Sequence, residues 1–449
     1  MSGERGYRVS SVDLGRVDEY LRKMGPTWVA GAIAAGPATM ASLLTAGASF
    51  GYTLLWVVVL SAILGAFAQY LAMRLGLLTE EGIVAVVEGH LGEWWAWLLV
   101  GDVVLAAGLA QLVIMKTVAG VSETITGLDA RLWGGFWAIV LAVGLAGRGY
   151  RFIELVAKVL VVGVVVAFLA SVFVVPLDPG AAASGLIPRV PAGMEGALVA
   201  AGILGGAVHI TLITMQSYTM RARQWTGTEY DLATFDIGAS MLVAFGIYSL
   251  AIFLVSASVL HRPGVSAGDL TAITAATALG PLVGQHAKWL FLLGLWGAAV
   301  STLGGNTVVP PFLLADKLGW DTDVSDTRYR TLLAVVALLS AGGTVIGGAF
   351  FPLLVLVLAF GLVGTPFALV VVLYLLNDPD VVPETNSTTA NVGGVILTGI
   401  ASLLAGQFVS ERVSAGLRDP TTVVVLAFAL ILAVASLLLV WRYVTRVAR

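Results

Sequence analysis

Polar side chains are scarce in the long apolar stretches of this chain, and those that occur there are where its chemistry has to be sought. His209 lies in the middle of one such stretch, GGAVHITLITMQS, beside Thr211, Thr214, Gln216 and Ser217. A neutral imidazole offers a lone pair to a cation, and hydroxyl and amide oxygens are hard acceptors for the same purpose. A histidine so placed either lines an ion path or donates to the carbonyl of a neighbouring helix. On a regular helix His209 and Thr211 point to different faces, so both reach one site only where the helix unwinds. Glu154 and Lys158 stand four residues apart, acid first, the order that favours an internal helix ion pair acting as a structural or gating clamp. Asn306 follows Gly304-Gly305 and precedes Pro310-Pro311, where it shapes a helix end or, with Thr302, lines a vestibule. Asp102 and Lys116 fall near opposite ends of their segment, the first expected to be solvated or to close a helix contact, the second to snorkel. Asp236 reads as structural, and Asn377, Asp378 and Asp380 as solvated loop residues. No pair of segments presents a nucleophile with a base, so an enzyme is not expected, and the absence of cysteine removes thiol catalysis and thiolate metal sites.

The elements that must position these residues are membrane helices. Of 449 residues 58% are hydrophobic and only 11% charged, less than half the charged share of ordinary soluble domains. Apolar runs long enough to cross about 30 Å of hydrocarbon recur throughout, and nothing has the alternating pattern of a membrane barrel. Twelve segments are expected, at about 28–47, 52–75, 94–118, 132–147, 151–176, 194–220, 235–260, 277–304, 329–347, 350–375, 390–411 and 420–441. The polar connections are too short for a separate soluble domain. A formal charge of -3 gives no reason to expect a nucleic acid partner; the surroundings are a lipid bilayer.

Segment one carries Gly36-Pro37 inside it. A proline lacks the N–H and clashes with the preceding turn, so the helix should break there and free backbone carbonyls at Gly36 and Pro37. Irregular backbone is tolerated in hydrocarbon only where it faces protein or water, which makes the break a candidate substrate site. Segment six has the second interruption, around Gly205-Gly206 and His209, unless those glycines serve only close packing. Five segments separate the two starts. The spacing predicts an arm at 1–27, two five-helix repeats of opposite topology at 28–176 and 194–375, two further helices at 390–441 and a tail at 442–449. With both termini cytoplasmic, sixteen of the 24 lysines and arginines fall inside and six outside, leaving Lys116 and Lys158 within helices, as the positive-inside rule requires of a multi-pass cell-membrane protein.

The stretch GPATMASLLTAGASFGYTLLW, Gly36 to Trp56, resembles the first-helix region of the Nramp (natural-resistance-associated macrophage protein) divalent-metal transporters, down to its AG-x-x-FGY-x-LLW ending. Gly147–Leu160 is similar to the start of that family's fifth helix, Leu279–Thr302 to its eighth and Leu353–Val381 to its tenth. The resemblance implies an all-α polytopic fold of the LeuT type, a 5+5 inverted repeat with helices one and six discontinuous, and alternating access. Where the family carries Asp-Pro-Gly-Asn this chain has Gly36-Pro37-Ala38-Thr39, and against the family's Met-Pro-His an ungapped placement gives Ile210-Thr211-Leu212. The acids of the family's proton route correspond to Gly108 and Gln111, neither of which titrates.

These replacements remove the carboxylate and the soft thioether that suit a dehydrated transition metal. The resemblance then implies a cargo held with much of its water, Mg2+ or Mn2+, through Thr39, the carbonyls of Gly36 and Pro37, Thr211 and His209. Gln111, Glu154, Lys158, Gln216 and Asn306 are expected along the path or at its gates, with no resident cofactor and no proton coupling of the usual kind. The alternatives are a small neutral or cationic organic solute, admitted by the space at Gly36, or a sensor that does not transport. Sequence leaves the oligomeric state open.

Overall fold

The structure, a computed structural model, describes residue 20 and residues 36–146, 150–262, 268 and 270–447. The arm at 1–27 apart from Tyr20, segment one before Gly36, Arg148, the side chain of Arg151 and the tail residues 448 and 449 lie outside the described residues. Among those described there is no strand. The first half runs α1 Pro37–Phe50, α2 Leu55–Thr79, α3 Ile83–Leu91, α4 Glu93–Thr126, α5 Ala130–Ala146 and α6 Tyr150–Ser171, followed by the short connector α7 Pro179–Gly185. The second half runs α8 Met194–Ala207, α9 Ile210–Ala222, α10 Tyr230–Ile237, α11 Gly246–Val259, α12 Ala272–Ala276, α13 Gly280–Val283, α14 Ala287–Thr307, α15 Val309–Lys317, α16 Thr327–Leu339 and α17 Phe350–Leu376. A π-helical stretch, Gly238–Phe245, joins α10 to α11. Helices α18 Thr388–Ala415 and α19 Pro420–Val447 close the chain.

Each of the twelve expected segments is met by helix. Nine continuous helical stretches among the described residues are long and apolar enough to cross a membrane, the first of them, Pro37–Thr79, holding segments one and two together. The two segments outside that set are short: α5, and α16 with the 3-10 turn Ser340–Val345 behind it. At 1.5 Å per α residue and 2.0 Å per 3-10 residue, α16 and its turn reach roughly 30 Å, enough for the hydrocarbon core. The Asp326 side chain caps α16 by accepting from the Arg328 N–H at 2.7 Å. The Arg328 guanidinium holds that carboxyl down at about 2, so the cap is intact above the usual carboxylate range and is lost only as pH falls through that value.

Burial ranks the helices. In the most apolar windows of α8–α9 and of α17, 83% of residues are buried within the protein, against 22% for α19. Segments six and ten are therefore central, and the last two helices are peripheral. In lipid, helices associate through close packing and not through water exclusion, and small residues set the approach. Gly47 lies where a Cβ would come within 2.6 Å of the Ala257 nitrogen on α11, Gly297 where it would come within 2.7 Å of the Ala157 carbonyl on α6, and Gly205 where it would overlap the Leu358 carbonyl on α17. Gly51, at φ 54°, takes the left-handed turn that ends α1. The ring Nδ1 of His261 donates to Ala48 O at 3.0 Å beside it.

Several polar residues have partners that the sequence reading did not give them. Asp236 pairs with Arg223 at 2.7 Å. Asp378 and Asp380 are not simply solvated: both bond Arg446 near the end of α19, and Asn377 exchanges two amide bonds with Asn391, at 2.8 and 2.7 Å. Lys116 does not snorkel from a helix end, because α4 continues ten residues past it to Thr126; its Nζ donates to Ile346 O at 2.6 Å.

The close approach of α8 to α17 makes a direct test. Gly205→Ala forces a Cβ onto the backbone of α17 and is expected to cost about 1–3 kcal/mol by overpacking. Gly163→Ala meets nothing within 4 Å and gains helix propensity, at most about 1 kcal/mol. Thermal unfolding in detergent should therefore separate the two variants, the first melting lower than the parent and the second no lower.

Candidate functional site

Among the described residues α1 starts, and segment six is interrupted, where the sequence placed the breaks. Helix α1 begins at Pro37 as its first residue, with Gly36 extended before it at φ -61°, ψ -179°. Proline suits this position, since the N–H it lacks would have no intrahelical partner. The Gly36 carbonyl, expected to be free, accepts from Met40 N at 3.1 Å as the first bond of the helix, leaving only its second lone pair. In segment six the helix stops at Ala207 and restarts at Ile210. His209 is the cap of the restart: its Nδ1 accepts from Thr211 N at 3.3 Å. The imidazole is 8% exposed and packs its Nε2 edge against Gly361 on α17, where a Cβ would overlap the ring.

That cap links the His209 ring to the backbone of Thr211, not to its hydroxyl, and it changes the role expected of the histidine. With Nδ1 accepting, the neutral ring carries its proton on Nε2, and neither nitrogen is free to bind a metal without giving up the cap. The Thr211 hydroxyl is buried and makes no hydrogen bond among the described residues. Oxygen atoms are the better ligands here. Thr39 Oγ1 lies 2.8 Å from the point a Cβ on Gly206 would occupy, against the end of α8 whose last carbonyls have no intrahelical donors. On the other side of the break Thr302 of α14 reaches over Gly36, its Oγ1 3.0 Å from the corresponding point. The partial negative charge of a helix C-terminus, the end of α8, and these two hydroxyls favour a hard cation.

Helix α17 holds the break open. Thr365 Oγ1 donates to Val208 O at 2.8 Å and approaches its own Gly361 O at 3.2 Å, so the carbonyl exposed by the interruption is satisfied from another helix. The sequence reading missed Thr365; its signal was a hydroxyl followed by Pro366 inside an otherwise unbroken apolar segment.

The remaining expected residues separate into two groups. Gln111 and Asn306 come together: Asn306 Nδ2 donates to Ala107 O at 2.8 Å and to Gln111 Oε1 at 3.0 Å, while Gln111 Nε2 donates to Thr307 Oγ1 at 2.6 Å. The amides thus clamp α4 to α14. Glu154 and Lys158 do form their ion pair, at 2.7 Å, but with 39% and 43% of their side chains exposed, so it is not an internal clamp. Gln216 lies in α9 below the break and makes no hydrogen bond among the described residues.

Asp102 closes a helix contact, the second of its two expected roles, and is not solvated. Helix α4 starts at Glu93, so this carboxylate sits more than two turns inside and is 2% exposed. Neither oxygen has a hydrogen-bond partner among the described residues. Both press on Gly364 of α17, where a Cβ would overlap the carboxylate.

A helix that starts at Pro37 and a segment interrupted between Ala207 and Ile210, both packed on α17 in an all-helical bundle, fit a membrane protein of the LeuT-type fold. The family described as "Natural resistance-associated macrophage protein-like" matches residues 27–411, and the chain belongs to it. Among curated proteins the chain is similar to the divalent metal cation transporter MntH of Mycobacterium tuberculosis, 27% identical over 403 residues covering 85% of this chain and 89% of that one. Among solved structures it is similar to the Eremococcus coleocola manganese transporter, with a TM-score of 0.71 at 16% identity over 98% of this chain and 97% of that one. It also matches MhsT in complex with L-phenylalanine, with a TM-score of 0.55 at 15% identity over 86% and 98%. The last two likenesses are of fold.

The Thr365 hydroxyl can be removed without changing side-chain shape much. Thr365→Val leaves Val208 O unsatisfied and is expected to cost about 1–3 kcal/mol, read as a lower melting temperature. A melt identical to the parent's would show that the break does not depend on this bond.

Proposed function

We propose that the chain carries a divalent metal ion across the cell membrane by alternating access, holding Mg2+ or Mn2+ with part of its water shell at the break of segments one and six. The observation that carries this reading is the oxygen set at the breaks: the Thr39 hydroxyl at the carbonyl end of α8 and the Thr302 hydroxyl over Gly36, with no carboxylate at Gly36–Thr39 or His209–Thr211. A dication stripped of water there would lose hydration and meet no anionic ligand, whereas one that keeps several waters needs only oxygen atoms to receive them. Among the described residues no group of three His, Asp or Glu side chains is placed to hold a metal by itself, which supports the same choice. Thr39 and Thr302 serve as receiving oxygens, with Thr211 beside them, and His209 acts mainly by capping α9.

The family's usual proton route is not available, because Gly108 has no side chain and Gln111 is committed to Asn306 and Thr307. The organic-solute alternative loses its main support, since the space left at Gly36 is filled by Thr302. Both termini are assigned to the cytoplasm on the distribution of lysine and arginine.

Titration of the purified protein with Mg2+, Mn2+ and Ca2+ should give saturable heat with at least one, matched by uptake into proteoliposomes; no heat and no uptake with all three would overturn the reading. Thr39→Ala is expected to weaken the favoured ion three- to tenfold, about 0.7–1.4 kcal/mol, while Ser414→Ala on exposed α18 leaves affinity unchanged. Equal affinity in both variants would remove Thr39 from the site.

A further inference from the structure

We propose that the cleft between α18 and α19 binds one anionic phospholipid, with an acyl chain lying in the cleft and the phosphate at Arg442. The choice of leaflet rests on the orientation of the termini, and nothing in the site depends on the transport of a metal.

Helices α18 and α19 each pack along α17 but touch one another little, so a cleft floored by α17 is left between them. Its volume is about 510 Å3, within the range of roughly 300–1,000 Å3 usual for small-molecule sites. Leu373 of α17, Val395 of α18 and Leu439 and Val440 of α19 line it with hydrocarbon. The amides of Asn377 and Asn391 close on each other, and Thr398 Oγ1 donates to Gly394 O at 2.8 Å, so these polar groups of the wall need no water. Val395 and Val440 stay exposed, which leaves the cleft open to the surroundings of the bundle. Along α18 the lining runs from Asn391, in the first turn, to Ser402, a rise of about 16 Å. That is half of the roughly 30 Å hydrocarbon core, the depth of one leaflet. An apolar cleft of this reach, starting at a helix end and open to lipid, fits an acyl chain from the leaflet beside it.

The arginines at the end of α19 select the headgroup. Arg446 is neutralised by Asp378 and by Asp380, whose side chain is 77% exposed and therefore screened by water and salt. Arg442, about one turn earlier and adjacent to the lining residue Tyr443, makes no ion pair among the described residues. Its guanidinium stands 6.0 Å from the ring centre of Tyr374, another lining residue, and donates a long bond of 3.4 Å to Leu91 O. A guanidinium with donors to spare at the mouth of an apolar cleft matches a phosphate, which receives two parallel N–H bonds from it. A zwitterionic headgroup brings its own cation against Arg442, so the anionic class is favoured. With the end of α19 assigned to the cytoplasm, the cleft opens to the leaflet that carries anionic lipids.

The test is made without divalent metal, so its outcome is separate from that of the transport reading. Purified full chain in detergent is titrated with phosphatidylglycerol and with phosphatidylcholine of the same acyl chains, and bound lipid is counted by native mass spectrometry. The parent should retain one phosphatidylglycerol per chain in preference to phosphatidylcholine, and should melt higher with it. Arg442→Gln, a change at an exposed side chain, should lose about fivefold in affinity for phosphatidylglycerol, and Arg442→Lys should keep most of it. Gly399 lines the cleft, and a Cβ there meets nothing within 4 Å. Gly399→Phe should therefore fill the cleft, keep the parent's helical spectrum and lose the retained lipid. Equal retention of the two lipids by the parent, or undiminished phosphatidylglycerol binding by Arg442→Gln, would overturn the proposal. Undiminished binding by a folded Gly399→Phe would place the lipid elsewhere and overturn it as well. A dimer in place of the lipid-bound monomer would show that a second copy covers the cleft, with the same result.

Discussion

A backbone carbonyl in hydrocarbon has no water to fall back on, and the molecule is organised around meeting that requirement at Val208. Interrupting segment six exposes this carbonyl at mid-depth, and the structure answers with a hydroxyl from a different helix, Thr365, at 2.8 Å. The answer demands that α17 lie against α8 and α9 at very short range. Gly205 permits that approach on one side of the break and Gly361 on the other. Segment ten consequently reads as hydrophobic all round, the pattern of a helix enclosed by others. Its one internal proline is tolerated because neighbours fix its position.

The same packing satisfies neutral side chains at the positions where the resembling family carries charged ones. Gly36, without a side chain, is covered by Thr302, and Gln111 is built into an amide clamp with Asn306 and Thr307. Each replacement turns a group with charge into one that is satisfied as a neutral. The bundle can then close without an ion to balance it, at the cost of the strong field a carboxylate provides. Hydroxyls and helix-end carbonyls are the oxygen atoms left at the break under the proposed reading, and such ligands discriminate by size and hydration more than by charge.

How much of this was legible in the sequence depended on whether the signal was local. Pro37 announces a helix start by its own covalent structure, and α1 begins there. The unwinding needed to bring His209 and Thr211 together was legible from helix periodicity, and the restart at Ile210 provides it. What was not legible concerns partners far along the chain. Which of its two expected roles Asp102 takes was not legible, because its burial against Gly364 is set 262 positions away along the sequence. Asn306 and Gln111 could be flagged separately, but their bond spans 195 residues and leaves no local trace. The Glu154–Lys158 pair was correctly read from i,i+4 spacing, yet spacing does not tell which way the pair faces.

The Val208–Thr365 bond also constrains how the chain is made. The hydroxyl is synthesised 157 residues after the carbonyl it satisfies. During that interval segment six has no partner for an interrupted backbone, and the state that satisfies its own groups is an uninterrupted helix. The broken form is thus acquired on docking, when segment ten arrives and trades an interhelical bond for the intrahelical ones. On this argument insertion and assembly of the break are separate events, and the broken form waits until segment ten is in place.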